Sequence, residues 1–269
     1  MDGGTTSKIA IVGAGKLGEA MLAAWRARGL GGELVATARR AERIEHLERT
    51  LGVVPTRDNA AAVRGAAVVV VSVKPHDMPR ALDEIAPALE PGALVVSVAA
   101  GVKIAAIEAR LAPGTPVIRA MPNTAVRIGA GMTVLAPGAR ATEAHLAIAR
   151  TMFEAVGRVM VLEERHLDAV TGLSASGPAF IYVVMESMAE GGVKAGLPRK
   201  VATELVAQAM LGAARMVLET GAHPALLKDD VTTPAGCTID GLLELEVGGL
   251  RVALIKAIVT TTKRAGELG

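Results

Sequence analysis

Residues 8–18 read Lys8-Ile9-Ala10-Ile11-Val12-Gly13-Ala14-Gly15-Lys16-Leu17-Gly18, and their order decides the fold. Four apolar residues after a lysine make a short buried strand. Glycines at the spacing G-x-G-x-x-G follow at once, and Leu17, Met21 and Trp25 then recur on one helical face. A strand that turns on glycines straight into a helix is the opening of a dinucleotide-binding unit. The glycines allow a tight turn and let a pyrophosphate approach the backbone, while the helix N-terminus supplies N–H donors and partial positive charge. Gly13 and Gly15 are the first candidate cofactor contacts. The alternative is a tight turn with no ligand; position at the first strand-to-helix turn of an alternating chain favours the site.

Outward from this turn the alternation continues. Strands are predicted at 34–37, 66–73, 93–99, 116–121, 131–135 and 159–162, with helices at 17–28, 41–51, 79–89, 104–111 and 142–155. The run at 66–73 is apolar and rich in valine, as in a central parallel strand buried on both faces. The fold class is therefore α/β: an N-terminal Rossmann-type doubly wound parallel sheet. No convincing strand follows residue 164. Helices at 165–172, 176–195, 199–220, 238–247 and 250–266 make an all-α second domain, so the predicted domains are 1–164 and 165–269. Its alanine-rich apolar faces suit a homodimer interface. A monomer whose helices pack only on themselves is the other option.

The 269 residues are 51% hydrophobic and 21% charged, which supports a sizeable core. Net charge is +2 with basic residues dispersed, and aromatics are 1%, so neither a nucleic-acid footprint nor a base-stacking platform is expected. One cysteine, Cys237, excludes an intrachain disulfide. The five histidines are scattered, and no metal site is expected. This pattern fits a reducing cytoplasm. Residues 1–8 are polar and lack an apolar signal core. The longest charge-free stretch, 169–185, contains glycines, a proline and serines, so no membrane span is expected.

The end of the second strand bears on the cofactor. NAD sites place an acid there for the ribose diol. Glu33 lies before the strand instead, and Thr37, Arg39 and Arg40 close it. Two arginines and a threonine suit a 2′-phosphate, so NADPH is expected, with NADH possible. A solvated basic turn is the alternative. Lys74-Pro75 and Ala99-Ala100-Gly101 end later strands at the edge where open α/β sheets bind ligands. Arg119, a charge inside an apolar strand, is either a buried ion pair or a pocket residue.

The densest cluster is Lys228-Asp229-Asp230-Val231-Thr232-Thr233-Pro234-Ala235-Gly236-Cys237-Thr238. Thr233, Thr238 and the N–H groups of 236–238 would form a carboxylate nest before a helix. A plain N-cap by Thr233 or Thr238 is the alternative. No Ser/His/Asp set, HExxH or Walker loop is present. A dinucleotide fold without a strong general base fits reduction of a group that protonates easily.

These stretches resemble the pyrroline-5-carboxylate reductase family over nearly the whole chain. The carriers are the glycine turn, Val73-Lys74-Pro75, Val98-Ala99-Ala100-Gly101, Arg119-Ala120-Met121-Pro122-Asn123-Thr124, Leu173-Ser174-Ala175-Ser176-Gly177-Pro178-Ala179-Phe180 and 231–251. The resemblance implies reduction of 1-pyrroline-5-carboxylate to L-proline by NAD(P)H, in a dimer and often a decamer of five dimers. It implies Ala14, Lys16 and Leu17 on the pyrophosphate, Thr37, Arg39 and Arg40 near the 2′-phosphate, and Asn59 on the adenosine side. Val73, Lys74, Pro75 and Ala100 would line the nicotinamide half. Thr233 and the backbone of Gly236, Cys237 and Thr238 would hold the substrate carboxylate, with the Thr238 hydroxyl facing the ring nitrogen and Glu164 and Asp230 nearby. The chain departs from the family at Ala125, Ala175, Asp230 and Ala235, the last where a positive φ would strain an alanine. A reductase of another small cyclic imine or keto acid, and an NADPH-binding protein without chemistry, are the rival readings.

Overall fold

The computed structural model describes residues 7–268. Most of the polar N-terminal stretch thus lies outside the described residues. The chain divides into two compact units. The first runs up to Ser176 and takes in the stretch from Thr260; the second is Gly177–Val259. The matching point of the sequence-based division is residue 164.

The first unit is built on β1 (Ile9–Val12), α1 (Lys16–Ala27), β2 (Leu34–Thr37), α2 (Ala41–Leu51), β3 (Val54–Thr56), α3 (Asn59–Val63) and β4 (Val68–Val71). It continues with α4 (Met78–Ile85), β5 (Leu94–Ser97), α5 (Ile104–Glu108), β6 (Val117–Pro122), β7 (Gly131–Pro137), α6 (Glu143–Glu154), β8 (Gly157–Val161) and α7 (Leu167–Val170). One sheet forms in the order β3-β2-β1-β4-β5-β6-β7-β8. The chain winds outward from β1 through β2 to β3, then returns to place β4 on β1's other side, so the order reverses between β1 and β4. Every residue of β1, β2, β4 and β5 is buried, because helices cover both faces of these four-residue strands. Trp25 locks α1 to α6: its indole is fully buried and Nε1 donates to the Met152 carbonyl at 2.7 Å.

The sheet is not wholly parallel. β6 and β7 pair antiparallel, whereas β7 and β8 pair parallel to each other. The short link between β6 and β7 contains only a 3₁₀ turn at Thr124–Ile128. A parallel return needs a crossover of about a dozen residues or more. α6 supplies that crossover between β7 and β8. Asn123 closes the reversal by accepting from the Ala125 and Met132 N–H groups through Oδ1.

α7 passes through a π turn at Thr171–Ala175. The second unit then comprises α8 (Gly177–Lys194), α9 (Arg199–Thr220), α10 (Pro224–Val231), α11 (Cys237–Val247) and the first part of α12 (Leu250–Gly266). α8 and α9 approach through small residues: a Cβ on Gly192 would sit 3.0 Å from the Ala202 Cβ. The rest of their apolar surface stays open. Ile181, Tyr182, Val183, Leu205, Leu211 and Met216 are all half or more exposed. Contrary to the expectation from 169–185, two stretches, Glu164–Lys194 and Arg199–Thr220, are long and apolar enough to cross a membrane by length and composition. The charged residues at 164–168, which precede the charge-free run, form the beginning of the first of them.

Candidate active site

The glycine turn uses most of its own N–H groups to hold its shape. Gly13 N–H donates to Thr37 Oγ1 at 2.9 Å, Ala14 N–H to the Thr37 carbonyl at 2.7 Å, and Gly15 N–H to the Gly13 carbonyl at 2.8 Å. Gly13 has φ +87°, and a Cβ there would lie 2.6 Å from Val73 Cγ1. This is the point where the strand order reverses, between β1 and β4. Gly15 caps α1 with no side-chain hydrogen bond, and a Cβ on it would meet nothing within 4 Å. The Lys16 and Leu17 N–H groups thus begin the helix facing an open stretch of backbone, at the positive end of the helix dipole. A pyrophosphate fits such a cradle. Two predicted contacts take different places. Ala14 N–H is already engaged, and Thr37 is 3% exposed, bracing the turn from behind rather than lining an open phosphate pocket.

The carboxyl ends of β1, β2, β4 and β5 share one edge of the sheet, as their parallel register requires. Beside the turn, Arg39 and Arg40 are exposed, and Arg40 begins α2. Arg39 Nη2 lies 3.5 Å from Asp77 Oδ2, so the ends of β2 and β4 are bridged across β1. Asp77 also faces His76 and Arg80, each at 3.5 Å. Asn59 starts α3 and donates to Glu84 Oε2 at 2.6 Å. Lys74 is exposed, with Val73 and Pro75 partly buried beside it. Ala99 is buried and its N–H donates to Ser97 Oγ at 3.3 Å, while Ala100 is partly exposed at the start of the β5–α5 loop.

Arg119 is the buried ion pair of its two options. It is 0% exposed, with Nη1 3.2 Å from Glu164 Oε1 and Nη2 3.5 Å from Asp168 Oδ1. Glu164 Oε1 also accepts from the Ile104 N–H at 2.7 Å, and Asp168 Oδ2 takes Lys103 Nζ at 2.7 Å. Glu164 is therefore committed to the first turn of α5 and to Arg119, and acts on the β5–α5 loop from below. Arg119 Nε is buried without a hydrogen-bond partner among the described residues.

Sequence reasoning stopped at Arg40 and missed Arg43. Its Nε donates to the Ala14 carbonyl and its Nη2 to the Gly15 carbonyl, each at 2.9 Å. Arg43 also pairs with Glu19 at 2.7 Å, and His46 Nε2 lies 2.6 Å from the other Glu19 oxygen. Burial pushes the Glu19 carboxyl up, but the hydrogen bonds from His46 and Arg43 outweigh it and hold it below the usual range. The available signal was helical spacing: Arg43 stands four residues before the fully buried Leu47 and so shares its inward face.

In the second unit, Lys228, Asp229 and Asp230 are not loop residues. They lie in α10, with Asp230 exposed, and His223 Nδ1 caps that helix at Ala225 N–H. The loop proper spans 232–236. Gly236 N–H donates to the Thr233 carbonyl at 3.0 Å, so it leaves the expected donor set. Gly236 caps α11 without any side-chain hydrogen bond, which rules out Thr233 and Thr238 as plain helix caps. The Cys237 and Thr238 N–H groups open the helix, with the Cys237 side chain exposed, Thr238 partly exposed and Thr233 exposed. Ala235 has φ +59°, the one positive φ on a non-glycine among the described residues.

An anion cradle on a Rossmann edge and a second donor loop on a helical unit define a class, the oxidoreductases that use a nicotinamide dinucleotide. Residues 8–101 match the family model described as "NADP oxidoreductase coenzyme F420-dependent", and residues 164–268 match "Pyrroline-5-carboxylate reductase dimerisation". The pyrroline-5-carboxylate reductase of Methanosarcina acetivorans is 41% identical over 97% of this chain and 98% of its own length. That of Arabidopsis thaliana is 41% identical over 97% and 95%. The solved reductase of Coxiella burnetii superposes with a TM-score of 0.91 at 34% identity, covering 98% of this chain and 99% of its own. The Plasmodium falciparum enzyme, solved with NADP bound, gives 0.88 at 25%, covering 99% and 100%. The chain belongs to the pyrroline-5-carboxylate reductase family.

Proposed function

We infer that the protein reduces 1-pyrroline-5-carboxylate to L-proline, the last step of proline synthesis, with NADPH as the preferred reductant. The observation that carries this reading is the α11 entrance. The Cys237 and Thr238 N–H groups stand uncapped beside two threonine hydroxyls, a donor set shaped for one carboxylate and one ring nitrogen. The Lys16 and Leu17 N–H groups would hold the dinucleotide's pyrophosphate and Arg39 and Arg40 its 2′-phosphate; when bound it would supply the hydride that goes to C5 of the substrate. With the imine entering as its protonated iminium, the C=N electron pair moves to nitrogen to give the neutral amine, which then takes one proton from solvent. Thr233 and the Cys237 and Thr238 N–H groups fix the carboxylate, and the Thr238 hydroxyl holds the ring nitrogen. Catalysis is then mainly orientation, with fixed dipoles meeting the charge that shifts to nitrogen. No residue needs to act as a strong base, in keeping with the absence of a catalytic triad motif.

The exposed apolar faces of α8, α9, α11 and α12 support a homodimer, with a decamer built as a pentamer of dimers, rather than a membrane as their cover. The single cysteine supports a cytoplasmic setting without disulfides. The protein takes a small-molecule substrate, and the near-neutral dispersed charge supports a function apart from nucleic acid. The test is oxidation of NADPH in the presence of pyrroline-5-carboxylate, repeated with NADH. Turnover with neither overturns the reading. Thr238→Ala should lower kcat/KM about 10-fold or more while leaving cofactor affinity in place, as one oriented hydrogen bond is lost. An unchanged kcat/KM removes Thr238 from the reaction.

A further inference from the structure

We propose that Arg43 is a positioning residue for the cofactor: from α2 it clamps the carbonyls of Ala14 and Gly15 and thereby aims the Lys16 N–H at the pyrophosphate. The proposal deepens the reading that a nicotinamide dinucleotide binds at this turn.

The geometry rests on peptide planarity. In a trans peptide the N–H points opposite to the preceding carbonyl. Among the described residues no peptide bond is cis. The Gly15 carbonyl is held jointly by the Glu19 N–H and Arg43 Nη2, each at 2.9 Å, and this turns the Lys16 N–H the other way, out of the helix start. A guanidinium is suited to this task because its planar fork reaches two acceptors at once, and here it does so with both contacts at 2.9 Å. Arg43 adds to bonds the turn already makes: the Gly15 N–H donates to the Gly13 carbonyl at 2.8 Å, and the Gly15 carbonyl accepts from the Glu19 N–H at 2.9 Å. Gly13 and Gly15 lack side chains, and Gly15 has open space on its Cβ side, so the guanidinium is the side chain that reaches these carbonyls.

The charge around Arg43 fits a brace better than a direct phosphate ligand. Glu19 lies in the first turn of α1, where it favours the helix dipole but would repel a bound pyrophosphate. Arg43 at 2.7 Å and His46 at 2.6 Å pair with that carboxylate and offset its charge beside the turn. Arg43 is mostly buried, with its side chain 18% exposed, whereas Arg39 is 75% exposed. Its position is held from the far end of the same helix pair: Arg26 in the last turn of α1 donates to the Gly52 carbonyl at 2.7 Å, just past α2. α1 and α2 are thus tied by a guanidinium at each end.

The test is direct titration of NADPH and of NADH, without imine, into the wild-type protein, Arg43→Lys and Arg43→Met. Both dinucleotides carry the same pyrophosphate, so Arg43→Met should raise the two Kd values by a similar factor, about 10-fold, as expected for loss of charge-assisted hydrogen bonds. Arg43→Lys, which keeps the charge but cannot fork, should fall between. In turnover, KM for the dinucleotide should rise while kcat at saturation stays near wild type. An unchanged Kd for both dinucleotides overturns the proposal. Weakening confined to NADPH also overturns it, because Arg43 would then be a ligand of the 2′-phosphate. If Arg43→Met does not fold, the lysine variant carries the comparison alone. Because binding is read without substrate, failure of imine reduction leaves this test intact, and wild-type protein that binds neither dinucleotide would reject the underlying reading instead.

Discussion

Ala235→Gly should stabilise the protein, although it removes a methyl group from a loop placed in the substrate site. Ala235 sits at φ +59°. In that region Cβ crowds the following carbonyl, which costs an L-residue about 1–2 kcal/mol relative to glycine. Glycine loses more backbone freedom on folding, which returns about 0.4–1 kcal/mol. The balance favours glycine by about 0.5–1 kcal/mol. For a domain of this size that is a rise in Tm of about 1–4 °C. Ala235→Val provides the opposite arm, since a β-branched residue at positive φ is a severe outlier. Thermal scans of the three proteins without ligand, at one protein concentration, give the order glycine, alanine, valine. Fixed concentration matters because association of copies shifts the apparent midpoint. Ala235→Gly melting below wild type, or Ala235→Val melting above it, would show that the left-handed backbone is not a source of strain here.

Gly13→Ala combines positive φ with a Cβ 2.6 Å from Val73 Cγ1 and 3.1 Å from the Ser72 carbonyl oxygen. It should destabilise by about 2–4 kcal/mol and abolish cofactor binding, measured by urea unfolding and NADPH titration; wild-type stability would refute the clash. Arg119→Ala leaves Glu164 and Asp168 without their buried cation and should cost about 3–5 kcal/mol by urea unfolding, with a loss under about 1 kcal/mol contradicting the ion-pair role. The Glu19 carboxyl is held below its ordinary range in the folded state. Its contribution is therefore complete above the unfolded value of about 4.3 and is lost as pH falls through the lower folded value. Melting curves between neutral pH and pH ~3.5 should fall less steeply for Glu19→Gln than for wild type, and parallel curves would contradict this.

The alternating half was legible because its central strands are uninterrupted apolar runs. Val68 to Val71 reads as a buried strand, and α2 was found at 41–51 from the helical spacing of its apolar residues. What escaped was local and short. β3 has three residues including Pro55 and lies at the sheet edge, where a missing N–H is tolerated. α10 hid behind Lys228-Asp229-Asp230, polar residues that resemble a loop when no neighbour is visible. The direction of β7 cannot be read from side-chain periodicity, which is the same for either pairing; it follows from the length of the link before it. At the site, the glycines and the threonine loop were visible because they are unusual residue types at unusual density. Arg43 was not, and Arg119 was visible as an odd charge but its partners were not, because the partners of the two lie 28 and 45 residues away in sequence. The concern raised by Ala235 could be stated from residue type alone, and its backbone has the positive φ that raised it.

The first unit is discontinuous, and this sets an order of events during synthesis. Its sheet is encoded within the first 161 residues, yet it also takes in the stretch from Thr260. Ala265 is 2% exposed, and a Cβ on Gly266 would lie 3.4 Å from Asp168 Oδ2. A nascent chain can therefore assemble the sheet while the ribosome is still translating the helices, but this closing segment arrives after all of α8 to α11. Until it does, α7 lacks one of its neighbours. Trimming or tagging the far end of the chain would be felt first in the nucleotide-binding half, where a linear map of the two units would least suggest looking.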